Sequence, residues 1–164
     1  MLIKKIFSFF PPAVYYALLL FIIGLFVFNK TFHLSIMGDE WQMVWVVKGS
    51  LETTGQWDSG IKLFHWQGYQ FGALLIYLLT NFFGYDGKAV YIFSFITRFT
   101  ATLALFYFLQ KRGSSYNAAF LGSIFFILTP IGLQATEWAK NFTSYISIAF
   151  FIICLNLIYD LKSW

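Results

Sequence analysis

A chain in which 59% of 164 residues are hydrophobic and only 11% are charged cannot cover a water-facing surface. Soluble domains carry roughly 25% charged residues, so this composition excludes a soluble globular domain and points to a protein solvated by lipid. The net charge of +4 is spread thinly, with no basic run longer than Lys4-Lys5 and Lys111-Arg112, which argues against nucleic acid as a partner and for basic pairs at the cytoplasmic ends of membrane helices.

The apolar stretches are continuous runs rather than the alternating pattern of a membrane strand. The fold class is therefore all-α, a polytopic transmembrane helical bundle. A first span is predicted over residues 7–28, within 24 uncharged residues between Lys5 and Lys30, enough for about 30 Å of helix. Lys4-Lys5 would also suit the start of a cleaved signal peptide, but the run is longer than a signal-peptide core and no small-residue cleavage site follows Phe28. Further spans are predicted over residues 89–110, interrupted by Arg98; over 115–136, with Pro130 late in it; and over 141–159, which holds Cys154, the only cysteine. A lone cysteine excludes an intrachain disulfide.

Residues 68–84 are short and two-faced. Gln70, Tyr77, Thr80 and Asn81 fall along one side, with Phe71, Leu74, Leu75, Leu78 and Phe82 opposite. That pattern predicts a helix lying in the interface or dipping into the membrane. Basic residues support the same reading. If 68–84 crossed, with the amino terminus inside, four basic residues would lie inside and six outside; if it does not cross, the division is five and five, with the outer lysines mainly in one long loop where they weigh less. The preferred arrangement has four spans, both termini cytoplasmic, and one outer segment over residues 29–88.

An outer segment of that length exceeds ordinary connections, which run about 4–6 residues. It holds Trp41, Trp45, Trp57 and Trp66, residues favoured at the headgroup level, and is predicted to form one or two interfacial helices with a turn at Thr53-Thr54-Gly55. Within it, Gly38-Asp39-Glu40-Trp41 carries adjacent carboxylates. Such a pair raises one another's pKa and serves as a general base or as part of a divalent-cation site. The structural alternative is a cap: Asp39 starting a helix Glu40 to Lys48, Gln42 completing a capping box and Gly49 ending the helix. The two roles are compatible. His33 and His65 are too few for a metal site.

The acidic pair, followed by Thr54-Gly55-Gln56-Trp57 and then Lys62-Leu63-Phe64-His65-Trp66-Gln67-Gly68-Tyr69 before an apolar helix, resembles the start of polyprenol-dependent glycosyltransferases of the GT-C superfamily. The likeness is to the bacterial branch holding the aminoarabinose transferases of lipid A and the protein mannosyltransferase-like enzymes. Lys111-Arg112-Gly113 closing a span, a span with a late proline, and a short charged turn after it extend the likeness over nearly the whole chain. The element around His65 lacks the proline of the family pattern, Arg98 lies deeper in its span than the usual arginine, and Lys140 stands where an arginine is common. Family members continue with further spans, so the resemblance implies an amino-terminal module.

The resemblance implies an inverting glycosyltransferase that moves a sugar from a polyprenyl-phosphate-linked donor to an acceptor hydroxyl, on a glycan, lipid or protein, at the outer face of a bacterial plasma membrane. Asp39 would act as general base and Glu40 would orient it. Lys62, Arg98 and Lys140 would neutralise the departing phosphate, and Trp57, His65, Trp66 and Tyr69 would line the sugar or lipid. No definite cofactor is implied; a divalent cation at Asp39-Glu40 is the one candidate. The alternative is a non-catalytic membrane subunit or a lipid-linked glycan carrier whose outer segment is a docking surface.

Overall fold

The computed structural model describes residues 11–35, 39–56, 62, 70–85, 87–129 and 142–161. Among the described residues six α-helices follow in order: α1 (Pro12–Phe28), α2 (Asp39–Thr54), α3 (Gln70–Phe83), α4 (Lys88–Lys111), α5 (Tyr116–Leu128) and α6 (Phe142–Leu161), with a 3₁₀ turn at Asn29–His33 prolonging α1. No strand occurs among the described residues. Three stretches among the described residues are long and apolar enough to cross a membrane: Pro12–His33, Lys88–Lys111 and Phe142–Asp160. Their exposure pattern is inverted relative to a soluble protein. Phe26 is 85% and Phe125 75% exposed, while Ser94, Arg98 and Thr102 are fully buried; lipid solvates the large apolar side chains and the bundle interior takes the polar ones.

The predicted spans at 7–28, 89–110 and 141–159 correspond to α1, α4 and α6 within a few residues. Pro12 stands at the first turn of α1, where its missing N–H costs nothing. The predicted 115–136 span is represented by α5, whose start is capped by the Ser115 hydroxyl accepting from the Ala118 N–H; residues 130–136 lie outside the described residues.

Helix α4 is the axis of the bundle, packing along α6 and α5, touching α1, and meeting α3 at its start. Two clusters fix the direction of α1. Leu20, Phe106 and Ala119 pack together towards the Lys111 end, with Tyr16 beside them, whereas Phe28, Phe95 and Ile127 pack together at the other. Antiparallel α1 therefore finishes level with Phe95, where α4 has already run about seven residues, about 10 Å of helix. The overhanging first third of α4 is covered by α2 and α3: Met43 and Val44, Ala73 and Ile76, Val90 and Tyr91, and Phe142 form one buried cluster. The segment between α1 and α4 thus leaves and rejoins the bundle at one end, called the α2 end below.

One local expectation needs correction. The helix begun by Asp39 does not stop at Gly49 but runs to Thr54, because an interior glycine costs only about 1 kcal/mol, and the exposed last turn is tied back by the Thr53 hydroxyl donating to the Gly49 carbonyl and the Thr54 hydroxyl to the Ser50 carbonyl. Gly55, at φ +68°, makes the turn. In α3, Phe71, Leu78 and Phe82 of the apolar side are exposed and the buried stripe is Gly72, Ala73, Ile76 and Thr80. Lipid accepts the phenylalanines, and small residues allow the close helix contact.

Candidate functional site

Arg98 is the one charged side chain fully buried among the described residues, and three other helices bring its surroundings together. Its guanidinium carbon lies 4.5 Å from the ring centre of Phe28, the last residue of α1, and 5.3 Å from that of Tyr145 in α6. Nη2 donates to the Thr129 carbonyl at 3.3 Å, at the end of α5. The physics of this nest is clear. A charge in an apolar span costs several kcal/mol; ring faces attract it electrostatically, and the unsatisfied carbonyls closing a helix carry partial negative charge. Arg98 does not snorkel; its side chain is fully buried in the bundle.

The face of α4 around Arg98 is polar. Thr97 donates to the Ser94 carbonyl at 2.8 Å and Thr102 to the Arg98 carbonyl at 2.9 Å, so both hydroxyls are satisfied within the helix. The hydroxyl of Ser94, one turn towards the α2 end from Arg98, is buried and has no hydrogen-bond partner among the described residues. Sequence reasoning missed Ser94. Its spacing of four from Arg98 was the available signal, since residues at i and i+4 share a helix face.

Above this nest, α2 opens with the acidic pair. Glu40 is only 4% exposed, on a helix whose next turn, Met43 and Val44, packs against Tyr91. Tyr91 donates to the Ser35 carbonyl at 3.3 Å and ties the chain entering α2 to α4. Glu40 thus opens the helix that packs on Tyr91, while Arg98 lies two turns of α4 further on, about 10 Å deeper and near the middle of that helix. The side chain of Asp39 lies outside the described residues, as do Trp57, His65, Trp66, Tyr69 and Lys140. Lys62 is described and exposed. Among the described residues no three His, Cys, Asp or Glu side chains gather into a metal-binding group.

A second feature of the α2 end was not foreseen as a unit. Trp41, Val44, Trp45 and Lys48 of α2 join Tyr85, in the turn before α4, around an open cavity of about 230 Å³. Trp41 stacks on Trp45 and on Tyr85, with ring centres 6.4 and 6.1 Å apart. No protein-family model, curated protein or solved structure matches the chain.

Proposed function

We propose that the chain is the donor-binding module of a membrane glycosyltransferase that uses a polyprenyl-phosphate-linked sugar, with four spans, both termini cytoplasmic and the α2 end at the outer face. The observation that carries this reading is Arg98: a fully buried guanidinium held against Phe28, where α1 ends, two turns of α4 from Tyr91, on which the helix that carries the acidic pair packs. A leaving phosphate needs a fixed cation in a water-poor setting, where electrostatic stabilisation is strongest. Ser94 would add a hydroxyl donor beside it. Asp39, at the start of α2, would take the acceptor's proton, with Glu40 orienting it. A divalent cation, if the reaction uses one, would fall to these same two carboxylates. The four-span arrangement draws support from α1 ending and α4 overhanging at one end, which leaves α3 no net crossing to make.

The test is retention of donor by the purified full chain. A polyprenyl-phosphate sugar should bind saturably, and Arg98→Leu should weaken binding about tenfold or more, the usual worth of a charged hydrogen bond, while leaving binding of the unphosphorylated polyprenol unchanged. Equal weakening for both ligands would show that Arg98 supports the fold rather than the phosphate. A second reading is favoured by one observation, the complete burial of Arg98 against Phe28, Tyr145 and Thr129: a non-catalytic subunit or lipid-linked glycan carrier in which this residue only pins helix ends together. In that case phosphate would make no difference to binding.

A further inference from the structure

The aromatic cavity at the α2 end already holds a cation. The Lys48 ammonium lies 5.3 Å from the ring centre of Trp45 and 5.9 Å from that of Tyr85, and its other charged neighbour is Glu52 at 3.8 Å, one turn along α2. Ring faces carry the negative part of the aromatic quadrupole, so three indole and phenol rings around one opening form a site for ammonium. The rings are not sealed by protein: Trp45 is 59% and Tyr85 40% exposed, while Val44 closes the floor. Tyr85 stands three residues before Lys88, where α4 begins, which places the opening at headgroup depth.

We propose that Trp41, Trp45 and Tyr85 receive the ammonium of a zwitterionic phospholipid headgroup, with Lys48 turning outward to hold the adjacent phosphate. Lys48 has the four-carbon stem this exchange needs, and it is replaced over the rings by a charge of the same sign. The headgroup matches the cavity at both ends, cation to rings and anion to lysine. An anionic lipid without ammonium, or free phosphate, satisfies only Lys48. An ordinary aromatic belt would partition at this depth without discriminating among headgroups. The inference rests on α2, Tyr85 and the membrane character of the bundle alone, and stands or falls separately from the glycosyltransferase reading.

The experiment reconstitutes the full chain in nanodiscs of equal parts phosphatidylethanolamine and phosphatidylglycerol, releases it into detergent and weighs the retained lipid by native mass spectrometry. Phosphatidylethanolamine should be retained over phosphatidylglycerol by about fivefold or more, within the range of cation–π attraction. Trp45→Leu and Tyr85→Leu, both at exposed side chains that the fold tolerates, should each erode that preference, and Tyr85→Phe, which keeps the ring, should preserve it. Added inorganic phosphate should not displace the lipid. Equal retention of the two lipids, a preference untouched by either leucine substitution, or displacement by phosphate alone would overturn the proposal.

Discussion

Replacing Arg98 by lysine should destabilise the bundle more than replacing it by leucine. The guanidinium makes one charged hydrogen bond to Thr129 and faces the rings of Phe28 and Tyr145. A charged hydrogen bond contributes about 1.5–3 kcal/mol, and each ring contact about 0.5–2 kcal/mol depending on desolvation. Against this stands the penalty of keeping a charge inside an apolar span, about 2.5–3.5 kcal/mol. Leucine forfeits the contacts but also removes the penalty, so its net cost should be about 1–2 kcal/mol, roughly the cost of leaving the Thr129 carbonyl without its donor. Lysine keeps the penalty. Its compact ammonium cannot lie flat between two rings while reaching a helix end, so a cost about 1–2 kcal/mol larger than leucine's follows from retaining a charge with poorer partners. Unfolding of the three proteins by denaturing detergent, followed by circular dichroism, gives the order directly. A lysine variant as stable as the parent beside a strongly destabilised leucine variant would refute the reasoning, because charge rather than planar shape would then be what the nest holds.

Gly24 packs so closely that an added Cβ would come within 2.9 Å of Phe95 and 3.0 Å of Ile127; Gly24→Ala should cost about 1–3 kcal/mol by overpacking, read in the same unfolding assay. Gly49→Ala meets no atom within 4 Å inside α2 and should stabilise by up to about 1 kcal/mol, whereas Gly55→Ala, at φ +68°, should destabilise by about 1–2 kcal/mol; equal effects would show that α2 does not run through Gly49. In a Cys154→Ser background, Glu52→Cys should react with an impermeant thiol reagent applied from outside and Ser114→Cys should not. Labelling of Ser114→Cys from outside would place the Lys111 end outside and sink the four-span arrangement.

The three long helices were legible because membrane spans announce themselves as unbroken apolar runs. What could not be read was which side of a helix faces protein. In α3 the two-sided pattern was visible, but lipid reverses the rule that large apolar residues pack inward, and the contact was made instead by Gly72, Ala73, Ile76 and Thr80. The end of α2 was misplaced at Gly49 because local propensity marks it as a stop, while Gly55, already visible as a turn, carries the backbone conformation that requires glycine. Arg98 was recognisable as a charge needing partners; the partners, Phe28, Thr129 and Tyr145, come from three other helices and follow no sequence spacing. Trp41 and Trp45 lie one helical turn apart and could be paired by eye, but only the fold brings Tyr85 beside them to make a cage.

The central claim, that the α2 end carries out glycosyl transfer with Asp39 as its base, is tested most directly by Asp39→Asn in the full-length protein supplied with a polyprenyl-phosphate sugar. Asparagine starts a helix about as well as aspartate, so expression and unfolding should be unchanged. It cannot take the acceptor's proton, and loss of a general base lowers rates by roughly two to four orders of magnitude. The account predicts a transfer rate reduced by that amount in a normally folded protein. A rate within about threefold of the parent, far short of the general-base penalty, would leave Asp39 only the start of α2 and contradict the claim.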